Sequence, residues 1–504
     1  MGRKQDSRKY RGFRTAGIRL SEELLPHLVS HRTERLGDIL WAVHEFDKAH
    51  IVMLTEEDLI PRADGVAMLR ALRVMEAKGM EKTRHEVQGG LHSGEQYLIR
   101  ALGEEAGGRM HLGRSSGDLD EVGRRMAVRK HLLDLLASLN AFRRTLLRRA
   151  DEHAETVMPG YTQGQHAQPT TLGHWLSMWA LAMERNFDRL RSLYGRVNLS
   201  PAGAAIMTGS DFTLNRKRLA ELLGFADALP HTMDAILSHD LEMEAASTLA
   251  ILGTDMARLG MDLMQFTSSE FDMMDVPDRF CGTSSIMMQK KNPYAPQEMK
   301  ALAAEAVGGA MTAFFVEKDA SGTAILERRR TERAFWAVFP MAVRRLKDAN
   351  DIIATVTVKK KRMAELAAAF WGQAADLAGA LVRERGLPWR SAHQIVGILV
   401  RYGHERGFMP HDTTPELLDE AAVEYMDKKL RLPRAVITAA LDPAQCVRRR
   451  TLFGGPSAKA ARRELKLFLK TLSRDEIFLK SAVAGVENGR AGLEKAIDAL
   501  VGKR

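Results

Sequence analysis

The sequence predicts an all-α protein built around a bundle of long helices, and three observations point there. Aromatic residues are only 6% of the 504, while the strong helix formers Leu, Ala, Met, Glu and Arg are abundant. Apolar residues recur at helical spacing over long stretches: Leu132, Leu133, Leu136, Leu139, Phe142, Leu146 and Leu147 line one, and similar segments cover roughly residues 171–198, 232–270, 297–317 and 333–358. Several of these apolar faces are wide. One helix buries a wide face only among several neighbours, so a bundle shared between subunits is expected.

Residues 1–20 read as a polar tail crowded with Arg3, Lys4, Arg8, Lys9, Arg11 and Arg14. From Glu34 to Lys78 the pattern is helical, punctuated at Ile60-Pro61-Arg62. Glycines at 89, 90, 94, 103, 107, 108 and 113 then interrupt it up to His111–Asp118. The long helix beyond is expected to end near Met158-Pro159-Gly160. After Lys359 shorter helices follow, with loops at Gly386-Leu387-Pro388 and Phe453-Gly454-Gly455-Pro456. This divides the chain into a helical N-terminal domain with its basic tail (1–114), a central long-helix bundle (115–360), to which the resemblance described below adds tetramerisation, and a helical C-terminal domain (361–504) extended after about residue 465.

The net charge is +10, but acidic residues are interspersed nearly throughout and no nucleic-acid-binding motif occurs. The basic balance is therefore assigned to attraction of an acidic substrate or to solubility, with no nucleic-acid partner expected. Two cysteines, Cys281 and Cys446, make no disulfide framework, and a reducing cytoplasm fits. No uninterrupted apolar stretch of about twenty residues is evident, and the basic N-terminus lacks an apolar h-region. Neither a membrane span nor a secretory signal is expected. Walker, dinucleotide-binding and His-Glu-x-x-His motifs are missing, and no His/Cys cluster has ligand spacing. Neither a cofactor nor a metal is expected, and Met273, Met274, Met287 and Met288 read as packing residues.

Three polar segments beside long helices carry the chemistry. In His111-Leu112-Gly113-Arg114-Ser115-Ser116-Gly117-Asp118, an arginine and two hydroxyls at a helix start can hold a carboxylate, or simply cap the helix. Gly160-Tyr161-Thr162-Gln163-Gly164-Gln165-His166-Ala167-Gln168-Pro169 packs many hydrogen-bonding groups together, as either a site or a buried polar network. The run Gly282-Thr283-Ser284-Ser285-Ile286-Met287-Met288-Gln289-Lys290-Lys291-Asn292-Pro293 suits a mobile loop closing over an anionic substrate. A serine there becomes a general base where its surroundings stabilise an alkoxide.

In order and spacing the three segments closely resemble the three regions of the argininosuccinate lyase family, a branch of the fumarase/aspartase superfamily. The resemblance extends through Leu387-Pro388-Trp389-Arg390-Ser391-Ala392-His393-Gln394 and Leu441-Asp442-Pro443, covering roughly residues 35 to 465. It implies a long-helix bundle of the fumarase/aspartase type with smaller helical N- and C-terminal domains. A homotetramer is implied too, with each active site shared between subunits. The implied reaction is elimination: Ser284 removes a proton, Lys290 stabilises the aci-carboxylate, and Ser115, Thr162, Ser285 and Asn292 position carboxylates with Arg114 lending charge.

The chain also departs from the family pattern. A histidine is usual at Gln163, and its glutamate partner aligns with Gln297, so two neutral amides replace a proton-relay pair. His166 is either a substitute acid or a polar contact. Thr283, Met288 and Gly117 differ from the usual glycine, proline and asparagine. Gly89-Gly90 stands where an acidic pair is usual, and Ala324-Ile325-Leu326-Glu327-Arg328-Arg329-Arg330 replaces an amide- and acid-bearing segment. Arg329 and its neighbours suit an anionic leaving amine, or form an exposed basic face.

The reading that follows is a carbon–nitrogen lyase releasing fumarate from an N-substituted aspartate, an argininosuccinate-like substrate or one with a different amine such as an aminopolycarboxylate, with Ser284 as general base. The alternatives are argininosuccinate lyase proper, as in arginine biosynthesis, a cycloisomerase, and a catalytically silent structural relative.

Overall fold

The computed structural model describes residues 33–318, 322 and 325–502. The basic tail expected over residues 1–20 lies outside them. The fold is all-α: among the described residues the strands form only four two-stranded ladders, and the longest strand has seven residues.

Five helices make the centre: Ser116–Glu152, Leu172–Val197, Asp240–Phe266, Tyr294–Val316 and Ile325–Thr355. Polar contacts between them fix an up-down-up-down-up order. Arg124 of the first donates to Glu242 at the start of the third (2.7 Å), and Thr145, late in the first, donates to Asn350, late in the fifth (2.7 Å). Trp175, early in the second, donates to Asp262, late in the third (3.2 Å). His239, before the third, lies 2.9 Å from Glu317, just past the fourth. The bundle thus has a Ser116 end and a Glu152 end.

The first helix starts where the Ser115 hydroxyl accepts the Gly117 N–H (3.4 Å), satisfying one of the orphan donors of a helix N-terminus. Leu132, Leu135, Leu136, Leu139, Phe142 and Leu146 then lose all exposure in the bundle core. The helix stops at Glu152, earlier than the sequence suggested. Val157–Thr162 instead pairs antiparallel with Gln165–Thr171. Pro159 has no N–H with which to continue a helix, and Gln163 (φ 53°) and Gly164 (φ 73°) both adopt the left-handed conformation of a tight two-residue hairpin turn.

The fourth bundle helix, Tyr294–Val316, is long and apolar enough to cross a membrane by length and composition, which the sequence reading overlooked. Only 33% of its most apolar window is buried within the chain. Val307, Met311, Phe314 and Phe315 on it, with Ile251 and Met261 on the third helix, are exposed.

Residues 371–441 form a separate apolar cluster of short helices around Leu377, Leu381, Ile395, Leu399, Leu418 and Ile437. The chain ends in a 44-residue helix, Ala458–Val501. It does not pack as an appendage of that cluster. Starting beside Asp151 and Glu155, it runs back along the bundle, where Asp475 meets Arg143 (2.6 Å). It finishes against the N-terminal helices, where Glu494 accepts from Lys48 (2.9 Å) and Asp498 from Arg73. Leu493, Ala496 and Ile497 join the N-terminal core.

Candidate active site

At the Ser116 end the segment 111–118 is held from beneath by buried charge. Asp47 accepts from Arg84 (2.5 Å) and Arg114 (2.7 Å), and all three side chains are fully buried. Burial opposes ionisation of Asp47, but the two guanidinium groups overcome it and hold its pKa below the ordinary value. The expectation of an Arg114 guanidinium open to a substrate is therefore corrected. Its charge is spent on Asp47, inside the protein. Asp118, in the first helical turn, is also fully buried, and burial pushes its pKa well up despite the nearby Arg114. Ser115 remains at the helix start, half-buried.

His50 ties the same segment down by donating from Nε2 to the Leu112 carbonyl (2.9 Å). Burial lowers its pKa to about 3, with Arg114 acting in the same direction. A base whose pKa falls on folding binds fewer protons folded than unfolded between that value and 6.5. Its contribution is fully present above pH 6.5 and is lost as pH falls towards 3. The melting temperature is expected to drop between about pH 7 and 5 in wild type, and to drop less steeply in His50→Gln. A flat profile would contradict a buried neutral His50.

The other two segments sit at the Glu152 end. Thr162 and Gln163 are exposed at the tip of the hairpin. His166, across the ladder from Tyr161, is half-buried between the Tyr161 ring (centroids 5.0 Å) and the Phe370 ring (4.7 Å). Burial lowers its pKa, partly offset by a hydrogen bond to the Leu366 backbone.

The run 282–292 forms a short hairpin in which Gly282 pairs with Asn292 and Thr283 with Lys291. A Cβ at Gly282 would fall 2.0 Å from the Tyr294 ring, so glycine there lets the ring lie over the root of the loop. Lys291 anchors the same root to Asp275 (2.9 Å) and Asp278 (2.8 Å), and hydrogen bonding to these carboxylates raises its pKa. Above it, the Ser284 Oγ accepts backbone N–H groups from Ile286 (3.3 Å) and Met287 (3.0 Å). Two donors aimed at one oxygen favour its negative form. Ser285 and Lys290 are exposed, as are Ile286 (82%) and Met288 (96%). Gln297 is exposed in the first turn of the fourth bundle helix, and the Arg329 side chain lies outside the described residues.

The hairpin and the loop segment share one end of the bundle, where the Phe271 ring meets Tyr161 at 5.3 Å. The 111–118 segment sits at the other end, separated from the hairpin by the 37-residue first helix, about 55 Å at 1.5 Å per residue. Within one chain these segments cannot meet.

Sequence reasoning missed a polar cluster beside the first segment. The His111 Nδ1 lies 3.1 Å from Glu95 Oε2, and the His92 Nδ1 lies 3.4 Å from the same oxygen. His92 Nε2 is 2.8 Å from the Ser116 Oγ. The only sequence signal was the three-residue spacing of His92 and Glu95, since His111 arrives from a separate turn.

Comparison with known proteins finds relatives over most of the chain. The family profile described as Lyase matches residues 80–308, and the one described as Argininosuccinate lyase C-terminal matches residues 371–448. Argininosuccinate lyase of Methanocaldococcus jannaschii is 35% identical over 432 residues, spanning 85% of this chain and 88% of that protein. Among solved structures, EDDS lyase in complex with formate superposes with a TM-score of 0.84 at 27% identity, covering 94% of this chain and 96% of the other. A variant of EDDS lyase with bound fumarate superposes with a TM-score of 0.83, also at 27% identity and with the same coverage.

Proposed function

We propose a substrate and a division of labour for this chain, which belongs to the argininosuccinate lyase family and is a carbon–nitrogen lyase. It eliminates fumarate from an N-substituted aspartate. The observation that carries the mechanism is the Ser284 Oγ, which receives two backbone N–H groups on an exposed loop. Their pull lowers the cost of a serine alkoxide, so Ser284 acts as the general base that takes the proton beta to the leaving nitrogen. Negative charge then collects on the neighbouring carboxylate as an aci-carboxylate, and Lys290 on the same loop supplies the opposing cation. Ser115, Thr162, Ser285 and Asn292 hold the substrate's carboxylates. Arg114 acts through Asp47 and the 111–118 backbone, as a positioning residue.

The segments are about 55 Å apart along the first helix, so a working site needs more than one chain. The exposed Val307, Met311, Phe314 and Phe315 offer an apolar face for bundle-to-bundle packing. A homotetramer with shared sites satisfies both. Two unpaired cysteines, one of them buried, fit a cytoplasmic setting.

Both amides that replace the usual proton-relay pair, Gln163 and Gln297, are exposed, and neither exchanges a proton near neutrality. His166 has a lowered pKa and two aromatic neighbours, which favours a neutral imidazole making a polar contact over an acid. The rebuilt relay and the arginine run at 328–330 favour an amine other than the arginine of argininosuccinate, and a neighbour of this fold acts on EDDS. Argininosuccinate itself is the second reading, favoured by relatives such as that of Methanocaldococcus jannaschii.

The test is fumarate release by the purified protein from argininosuccinate and, in parallel, from N-substituted aspartates with neutral and acidic amines. Turnover of an acidic adduct alone, with His166→Gln losing less than the roughly 100-fold that removal of a general acid costs, supports the main reading. Fast turnover of argininosuccinate abolished by His166→Gln overturns it in favour of the second. Absence of fumarate from every adduct removes the lyase assignment of the site.

A further inference from the structure

We propose that His92, Glu95 and His111 form a binding site for one divalent transition-metal ion of the zinc type. The candidate ligand atoms, one from each residue, all lie within 4.8 Å of one another. Two of the separations, 3.1 Å and 3.4 Å to Glu95 Oε2, approach the edge of a tetrahedron of ligands at zinc–nitrogen and zinc–oxygen bond lengths, about 3.3–3.6 Å. Two imidazoles and one carboxylate are a donor set that zinc and cobalt accept, and three protein ligands leave a fourth position open.

The surroundings are those of a metal-binding histidine. One ring nitrogen of His92 faces the carboxylate while the other is hydrogen-bonded to the Ser116 Oγ (2.8 Å), the kind of outer contact that fixes ring orientation and tautomer. Glu95 is buried, and its Oε2 faces both imidazoles. Asp47 pairs with the nearby guanidinium groups of Arg84 and Arg114 and offsets one of their two charges, which reduces their repulsion of a cation. Bound there, the ion joins the Ser93–Leu102 helix to the turn at Gly108–His111 and, through Ser116, to the start of the first bundle helix. It stiffens the 111–118 segment. This inference does not depend on the lyase reading and is tested by binding alone.

The experiment is a Co2+ titration of the metal-free full-length protein, followed by the visible absorption of tetrahedral Co2+, with Zn2+ displacing it. One Co2+ per chain, displaced by one Zn2+, is expected. Glu95→Gln and His111→Gln, which keep side-chain size and hydrogen bonding, are expected to remove the signal. Ser116→Ala, which spares all three ligands, should weaken binding by about 10–100-fold. The proposal is overturned by a wild-type protein with no saturable tetrahedral spectrum, or by binding that persists undiminished in both ligand variants. In either case the three residues are an ion-pair cluster.

Discussion

Replacing Ser284 by alanine is expected to lower kcat/KM for fumarate formation by about 10²–10⁴-fold, the usual worth of a positioned general base. The variant removes the oxygen that accepts from the Ile286 and Met287 amides, and with it the group whose negative form they stabilise. The fold should not respond. Ser284 lies on a loop with exposed neighbours, and substitutions at such places usually change stability by less than about 0.5 kcal/mol. Steady-state kinetics with the preferred substrate, beside a melting curve, separates the two effects. Ser285→Ala is the control: it removes a neighbouring hydroxyl assigned to carboxylate positioning, so its loss should fall mainly on KM. Activity within tenfold of wild type in Ser284→Ala would sink the assignment of the base.

The second large effect concerns stability. Asp475→Ala is expected to destabilise the protein by about 3 kcal/mol, at the lower edge of what breaking a buried ion pair costs. Asp475 and Arg143 are each about 1% exposed and 2.6 Å apart, and Asp475 also accepts from Arg191 (3.2 Å). Removing the carboxylate leaves the Arg143 guanidinium buried with Glu184 and Asn140 as its remaining partners. The contact pins the terminal helix to the first bundle helix, so its loss frees a segment that also reaches the N-terminal core through Leu493 and Ile497. Urea unfolding at fixed protein concentration measures it. Arg474→Ala, one residue away and exposed, should be nearly neutral. A loss below about 1 kcal/mol for Asp475→Ala would mean that the terminal helix is held by its apolar contacts alone.

Local chemistry made much of this protein readable. Apolar residues at 3.6-residue spacing located the bundle helices, because a stripe such as Leu132 to Leu147 has no other way to leave water. The polar loop segments stood out because hydroxyls, amides and cations crowd where helices stop. Less readable were features in which short and long range compete. The end of the first helix was placed too late because Val157 and Met158 continue its apolar pattern, whereas Pro159 and the left-handed Gln163-Gly164 turn favour a hairpin. The fourth helix was placed at 297–317, but its apolar length was not seen because its alanines and glycines dilute the pattern.

The sequence by itself determined the all-α class, the order of the helices and the polar segments beside them, since these follow from spacing and side-chain chemistry within a few turns of chain. Tertiary structure alone decided how those residues are used. Arg114 could be read as a free cation until Asp47, 67 positions earlier, was found against it. The terminal helix could be read as an appendage until its ion pairs with Arg143, Lys48 and Arg73 were located. The grouping of His92, Glu95 and His111 depends in the same way on how two turns pack. Charge pairing and burial depend on distance in space, and sequence separation carries almost no information about that distance once the chain has folded back on itself.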